Sequence, residues 1–286
     1  MSMPPYAPEP VPGRGAGWGP APRLGPRTGS RSGPDERFTS LVTKAAAASV
    51  DGWDFSWLEG RATEQRPSWG YAAAMGDRMA RATAALDVQT GGGEVLASVP
   101  RLPALTVATE SWPPNIARAT ESLRPRGVVA VADPDAPPLP FGDRAFDLVV
   151  SRHPVTTWWE EIARVLTPGG TYFSQQIGPD NVFEVIEHFL GPQPAEVRAA
   201  RDPGRAAAEA EAAGLDVVDL RTERLRVEFF DIGAVVYFLR KVIWTVPGFT
   251  VEDYLPQLRS LHERIEADGP FVAYSCRFLI EARRPR

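Results

Sequence analysis

The most restrictive feature of the sequence is the alternation, between residues 84 and 220, of short apolar runs with segments of helical periodicity. Strands of a parallel sheet are buried on both faces, so they occur as continuous apolar runs separated by helices. The pattern predicts six strands, at 84–88, 105–109, 128–132, 146–151, 171–175 and 216–220. It therefore predicts an α/β fold with a doubly wound, mostly parallel sheet.

The rest of the chain predicts helices on both sides of this sheet and one more strand. Helical periodicity occurs at 38–48, 71–83, 205–213, 231–242 and 251–267, and 271–280 alternates as a seventh, antiparallel strand. A turn at Gly169 and Gly170 leads into the fifth strand, and Gly214 is expected to end the helix at 205–213. We expect four parts: a mobile Pro/Gly-rich tail (1–36), a helical and aromatic cap (37–83), the sheet core (84–220), and a helical insertion with the last strands (221–286).

Composition limits the classes of protein to which the chain can belong. The single cysteine, Cys276, excludes an internal disulfide, and the apolar run 232–239 is too short to cross a bilayer. We expect a cytoplasmic protein without a secretion signal. The net charge of -5 argues against binding to nucleic acid, although the tail itself is basic.

The glycine-containing segment 87–94 (DVQTGGGE) lies where the first predicted strand turns into a helix. Glycine permits positive φ and close approach of a ligand, and the carboxyl end of a central strand is where open α/β sheets bind ligands. A dinucleotide site would need a third glycine where this chain has Leu96. The loop therefore favours a nucleoside that carries no pyrophosphate.

Together with the motifs that follow it, this segment resembles the class I S-adenosylmethionine-dependent methyltransferases, in particular the bacterial type 11 group, over about residues 70–180. Asp87 matches the acid of the family's glycine loop, Gly91 and Gly93 match its second and third glycines, and Gln89 replaces the first. Glu110 ends the second strand. The segments 135–141 (DAPPLPF), 146–151 (FDLVVS) and 164–170 (RVLTPGG) match three further motifs in the expected order.

The resemblance implies a Rossmann-like fold, S-adenosylmethionine as cofactor and S-adenosylhomocysteine as product. It implies that Glu110 accepts hydrogen bonds from the ribose hydroxyls, that Asp135 meets the adenine amino group, and that the next backbone amide meets the ring. Asp133 is a weaker candidate than Asp135. The cofactor residues expected are Asp87, Gln89, Thr90, Gly91, Gly93, Glu110, Ser111, Asp135, Ala136 and Ser151.

Methyl transfer from a sulfonium is an in-line displacement that needs a base only when the acceptor arrives protonated. His153 follows the fourth predicted strand and is a candidate general base, with a wall or packing role as the alternative. His188 and His262 are expected in solvated positions. Asp133 and Asp135 have no convincing third ligand, so no metal site is predicted.

Aromatic residues outside the sheet predict a pocket for a flat or apolar small molecule, although some of these rings must belong to the core. The candidate acceptor-binding residues are Trp53, Trp57, Trp69, Tyr71, Trp158 and Tyr237. Three functions stay open at this point: methylation of a small molecule, methylation of ribosomal or transfer RNA, and cofactor binding without catalysis, the last because of Gln89. The oligomeric state and the accepting atom are not predicted.

Overall fold

The computed structural model describes residues 33–50 and 55–286. Within these residues, eight strands form one sheet in the order β1-β7-β8-β6-β5-β2-β3-β4. The strands are β1 Ala62–Glu64, β2 Ala84–Asp87, β3 Leu105–Glu110, β4 Val129–Ala132, β5 Phe146–Arg152, β6 Leu166–Ile177, β7 Asp216–Phe229 and β8 Phe271–Arg283. The predicted α/β fold class is confirmed, with β1 as an additional short strand.

The strand order creates a ligand-binding crevice at a defined position. Strands β4, β3, β2, β5 and β6 are parallel, and β8 lies antiparallel between β6 and β7. The chain leaves β2 towards β3 and β4, then returns to place β5 on the other side of β2. The order therefore reverses beside the carboxyl end of β2, which is where such sheets bind ligands.

Ten α-helices pack around the sheet within the described residues. They are α1 Pro34–Ala47, α2 Tyr71–Met79, α3 Glu94–Ser98, α4 Pro113–Leu123, α5 Trp159–Val165, α6 Phe183–Leu190, α7 Ala195–Arg198, α8 Pro203–Ala212, α9 Ile232–Lys241 and α10 Leu255–Asp268. Local signals explain several of their ends. Asp202 accepts a hydrogen bond from the Arg205 amide at the start of α8, and Gly214 has a φ of +83° just after its end, as predicted.

Two strands are longer than the apolar runs predicted. The sixth predicted strand, at 216–220, is β7 and continues to Phe229, because charged and apolar side chains alternate beyond Leu220 and leave no continuous apolar run. The predicted turn at Gly169 and Gly170 lies inside β6: Phe146 pairs with Leu166 and Leu148 with Thr171, so the intervening residues form a bulge.

Strands β7 and β8 extend well past the carboxyl edge of the parallel sheet. Pairing between β6 and β8 ends at Ile177 and Arg277, whereas β7 and β8 stay paired up to Phe229 and Phe271. The six further residues of β8 project roughly 20 Å beyond the edge at about 3.3 Å per residue. This extension, together with β1, α1, α9, α10 and the connecting segments 55–61 and 242–254, is referred to below as the cap; it is larger than the 37–83 cap predicted from the sequence.

Three buried hydrophobic clusters hold the molecule together. Two of them contain side chains of the parallel strands and the helices packed on the sheet, and the third joins α1, α9, α10, part of α6 and the extension. His262 belongs to this third region: it is 4% exposed and its ring lies 5.4 Å from that of Phe38. The solvated position expected for His262 is therefore wrong, since its helix face packs on α1.

Two predictions fall on residues outside the described ranges. One is the mobility of the tail, of which only residues 33–36 are described; α1 begins within these residues, at Pro34. The other is the acceptor-binding role of Trp53. Among the helices of the described residues, none is long and apolar enough to span a membrane.

Candidate active site

The glycine loop follows β2 at the crevice and is shaped by its glycines. Gly91 and Gly93 have φ values of +66° and +81°. A Cβ on Gly93 would lie 2.9 Å from the side chain of Leu123 in α4, whereas a Cβ on Gly91 would meet nothing within 4 Å. Gly93 is thus required for packing of the loop against α4, while Gly91 leaves open space beside the loop.

Three other residues at this edge have left-handed backbone conformations that side chains disfavour. Gln89, Asp135 and His153 have φ values of 57°, 54° and 53°, and they follow β2, β4 and β5 respectively. Such conformations cost of order 1–3 kcal/mol each and cluster at functional sites. This strain could not be predicted from the sequence, because it depends on how the loops meet.

The side chain of Gln89 connects the loops that contain these strained residues. Its Nε2 donates to Asp135 Oδ1 at 2.6 Å and to the carbonyl of Thr156 at 2.9 Å, and its Oε1 accepts from the Val155 amide at 2.5 Å. Gln89 is 6% exposed. The residue that replaces the family's first loop glycine therefore ties the loops after β2, β4 and β5 together.

A cluster of carboxyl groups lines the same edge. Burial raises the pKa of Asp87 to about 7, helped by the charge of Glu110 and opposed by a hydrogen bond from Thr90 Oγ1. Burial also raises the pKa of Glu110, and the charge of Asp135 raises it further. In the same way, burial and then the charge of Asp133 raise the pKa of Asp135. Because these acids repel one another in a partly dry site, the cluster favours a ligand that carries positive charge.

Glu110 holds the glycine loop in addition to facing the crevice edge. Its Oε2 accepts from the Gly91 amide at 2.8 Å, and its Oε1 accepts from the amides of Ser111 and Trp112 at 3.0 and 2.9 Å. A carboxylate has about four acceptor positions, so one position on Oε2 remains for a ligand hydroxyl. Glu110 thus fixes the loop and offers an acceptor at the end of β3.

Arg164 joins two of the matched motifs. Its guanidinium donates to the carbonyls of Leu139 and Phe141 at 3.1 and 2.8 Å, and it forms a bidentate pair with Glu161 at 2.7 and 2.8 Å. The segment 139–141 follows Asp135, so Arg164 fixes the loop that carries this acid. The contact explains why an arginine stands at this position of the 164–170 motif.

His153 is fully buried and belongs to a hydrogen-bonded chain. The Trp69 indole donates to Gln175 Oε1 at 2.8 Å, and this sets the amide so that Gln175 Nε2 donates to His153 Nε2 at 2.9 Å. Burial, together with the charges of Arg152, Arg277 and Arg201, holds the pKa of His153 well below its usual range. The ring is therefore neutral at pH 7, but the lone pair of Nε2 is already engaged. No motif in the sequence indicated that Gln175 would contact His153.

The other predicted cofactor residues lie at the same edge but differ in exposure. Ser111 and Ala136 are exposed. Ser151 is buried at the end of β5, where its hydroxyl contacts Tyr172 Oη at 2.7 Å and Ser174 Oγ at 2.9 Å. Its side chain thus faces the interior, and its carbonyl accepts from the Tyr71 hydroxyl at 2.8 Å.

The predicted acceptor residues form two groups rather than one. Trp69, Tyr71 and Trp158 lie at the carboxyl ends of β5 and β6, where Tyr71 contacts Ser151 and Trp158 affects the pKa of Asp135. Trp57 and Tyr237 stack at 4.8 Å between ring centres in the cap. There they line a cavity of about 570 Å³ together with Lys44, Ala47, Ala48, Ser49, Ser56 and Arg61.

Among residues 33–50 and 55–286, no group of three or more His, Cys, Asp or Glu side chains is arranged to hold a metal ion.

Comparison with known proteins shows what this part of the chain is similar to. Residues 86–174 match the family model described as methyltransferase domain. No curated protein sequence matches the chain. Among solved structures, a candidate methyltransferase from Bacillus halodurans C-125 is 20% identical, with 74% of this chain and 98% of that chain covered and a TM-score of 0.53. The YcgJ protein of Bacillus subtilis is 17% identical, with 76% and 98% covered and a TM-score of 0.53.

These structures share the fold, and the family match covers β2 to β6, with the glycine loop and both acid-bearing loops. The carboxyl cluster and the open space beside Gly91 fit a cationic nucleoside at the switch point. Residues 86–174 thus match a methyltransferase domain, and the sheet around them has the fold of these two solved structures.

Proposed function

We propose that this chain is a class I S-adenosylmethionine-dependent methyltransferase, with S-adenosylmethionine as its cofactor. We propose further that it methylates a small molecule, which binds between the carboxyl edge of the sheet and the cap. The observation that carries the proposal is the extension of β7 and β8 beyond that edge, where α1, α9 and the segment 56–61 line a cavity of about 570 Å³. This volume is in the range of small-molecule pockets. The net charge of -5 and the carboxyl cluster oppose the phosphate backbone of RNA.

In this proposal the chain has two functional parts. Residues 84–220 form the cofactor-binding core, and residues 37–83 and 221–286 together cover the acceptor. Support comes from the separate hydrophobic cluster that joins α1, α9 and α10 with the ends of β7 and β8. A separate core allows the cover to vary in sequence without disturbing the cofactor loops.

The cofactor-binding role of each residue follows from its position at the crevice. Glu110 would accept a ribose hydroxyl on its remaining Oε2 position, and Asp135 with the Ala136 amide would meet the adenine. The loop from Asp87 to Gly93, with Thr90, would face the methionine portion, since its acid and open glycine lie nearest the switch point. When bound, the cofactor supplies an electrophilic methyl group on a sulfonium. Ser111 and Ser151 would contribute backbone contacts.

In this proposal His153 forms part of the wall of the active site and acts as a positioning residue, and it is not the general base. Its Nε2 already accepts a hydrogen bond from Gln175, and its side chain is fully buried. Proton uptake would require the Gln175 amide to turn and the Trp69 contact to break. The reacting atom of the acceptor therefore either has an available lone pair when the acceptor binds or loses its proton to water.

The two aromatic groups have different parts in acceptor binding. Trp69, Tyr71 and Trp158 lie near the cofactor loops and would contact the reacting end of the acceptor. Trp57 and Tyr237 would contact its remote end in the cap cavity, where Lys44 and Arg61 favour an acidic group. The Arg61 guanidinium lies 4.4 Å from the centre of the Trp57 ring and pairs with Asp231 at 3.2 Å, so the cavity wall is already ordered.

The proposal is tested by incubating the protein with cell extract and S-adenosylmethionine carrying a labelled methyl group. Label in a low-molecular-weight product, lowered in Trp57→Ala, supports the proposal. The matched control is Ile243→Ala, which changes a 64% exposed cap residue and should leave the yield unchanged. Label found only in RNA would overturn the acceptor class while leaving the enzyme class intact.

A further inference from the structure

The side chain of Gln89 bridges a gap that the strand order makes wide. Asp135 follows β4 and Thr156 follows β5, and β2 and β3 lie between these two strands. Three strand intervals of about 4.8 Å separate the strand ends by roughly 14 Å. Nevertheless, one amide group bonds to both loops. The loops after β4 and β5 therefore meet over the carboxyl end of β2, across the crevice.

The hydrogen-bonding capacity of this amide is used on groups that a ligand would need. Both hydrogens of Nε2 are donated, one to the Asp135 carboxylate and one to the Thr156 carbonyl, and Oε1 accepts from the Val155 amide. Asp135 is the acid proposed for adenine. As long as Gln89 holds Asp135 Oδ1, a nucleoside competes with it for that oxygen.

The backbone of Gln89 indicates that these contacts are strong enough to hold an unfavourable conformation. A φ of 57° is disfavoured for glutamine and would be free of strain for glycine. The three hydrogen bonds of the amide, on a residue that is only 6% exposed, offset this strain. The closed arrangement is thus maintained by the side chain and not by the backbone preference of the loop.

We propose that Gln89 is a latch across the cofactor crevice, whose three side-chain hydrogen bonds must break before S-adenosylmethionine or S-adenosylhomocysteine can enter. This inference rests on the cofactor positions of the proposed function. Only the open form, in which these three hydrogen bonds are broken, binds the ligand. The observed dissociation constant therefore equals the intrinsic constant divided by the fraction of molecules that are open. Removing the latch should therefore raise affinity through faster association, with dissociation little changed.

The first test measures binding of S-adenosylhomocysteine by calorimetry and its association rate by stopped-flow fluorescence. The variant Gln89→Met keeps the length of the side chain without its hydrogen bonds, and Gln89→Gly removes the side chain and suits the left-handed backbone. We expect both to bind about tenfold more tightly and to associate about tenfold faster. If only Gln89→Gly bound more tightly, the effect would come from the size of the glutamine side chain and not from its hydrogen bonds, and the latch would be overturned.

The second test examines the latch without any ligand. The Val155 amide, which donates to Gln89 Oε1 at 2.5 Å, should exchange its hydrogen faster in both variants. The matched control is Arg144→Gly, because Arg144 has a φ of 56° but lies in an exposed loop away from the crevice. It should change neither the exchange at Val155 nor the affinity.

The outcomes separate the latch from the function on which it rests. If the unaltered protein binds S-adenosylhomocysteine and the two Gln89 variants bind equally or more weakly, the latch is wrong and the cofactor site stands. If none of the proteins binds, the proposed cofactor positions fail and the latch fails with them. Unchanged exchange at Val155 would overturn the latch whatever the affinities.

Discussion

Replacing Asp87 by asparagine should make the unliganded protein more stable, and increasingly so as the pH rises. Asp87 is 5% exposed, and its pKa is raised from 3.8 to about 7. A group whose pKa is raised in the folded state binds its proton more tightly there than in the unfolded chain. Stability is therefore lost as the pH rises from the unfolded pKa to the folded one.

The magnitude follows from the size of this shift. One pH unit of pKa difference corresponds to about 1.4 kcal/mol, so the ionised Asp87 side chain costs the fold about 4 kcal/mol at pH values above 7. Between pH 5 and pH 8 the cost grows by about 2.5 kcal/mol. Asparagine carries no charge and can still accept the Thr90 hydroxyl, which donates to Asp87 at 2.6 Å.

The assay is urea unfolding of both proteins at pH 5, 6, 7 and 8 without cofactor, with free energies obtained by linear extrapolation. The difference between the two free energies of unfolding should grow across this range by about 2.5 kcal/mol in favour of Asp87→Asn. A difference that stays constant would refute the argument that burial of the charge sets the pKa of Asp87.

Asp147→Asn is the matched control, since Asp147 lies in the neighbouring strand β5 and has a shift of opposite sign. Burial alone would raise the pKa of Asp147, but hydrogen bonds from Thr83 and from the Ala84 amide outweigh burial and lower it. Its stabilisation is therefore complete above the unfolded pKa and is lost only at lower pH. The free-energy difference for this pair should stay flat between pH 5 and pH 8.

Three further substitutions test the packing and the contacts of the site. Gly93→Ala should lower the free energy of unfolding by about 2–3 kcal/mol because the new Cβ would lie 2.9 Å from Leu123, whereas Gly91→Ala, with open space, should cost about 1 kcal/mol for its backbone alone; urea unfolding distinguishes them. Arg164→Lys cannot reproduce the bidentate pair or reach both loop carbonyls, so thermal unfolding should show a loss of about 2 kcal/mol, and an unchanged midpoint would contradict the clamp. Glu110→Ala should weaken S-adenosylhomocysteine binding by about 1.5–3 kcal/mol in calorimetry and also lower stability, because three backbone amides lose their acceptor; unchanged affinity would mean that the ribose lies elsewhere.

Much of the core was predictable because its signals are local. Continuous apolar runs predicted the parallel strands to within about two residues at most ends, since a strand buried on both faces has no polar alternation. β6 and β7 were exceptions. β6 begins before the glycine pair, and the charged alternation of β7 reflects partners that lie far away in the chain. The short strand β1 had no signal of its own, because it depends on pairing with β7.

For the candidate site, the sequence by itself determined which residues stand at the carboxyl ends of the strands: the glycine loop, Glu110 after β3, Asp135 after β4 and His153 after β5. Order along the chain is enough for this, because parallel strands bring their carboxyl ends to one edge. The tertiary structure alone decided what those residues contact. The Gln89 bridge and the Arg164 clamp join residues up to 67 positions apart, and the burial of His153 and the raised pKa of Asp87 depend on neighbours from several elements. Hydrogen bonds and dielectric burial act through space, so they became visible only once the loops had met.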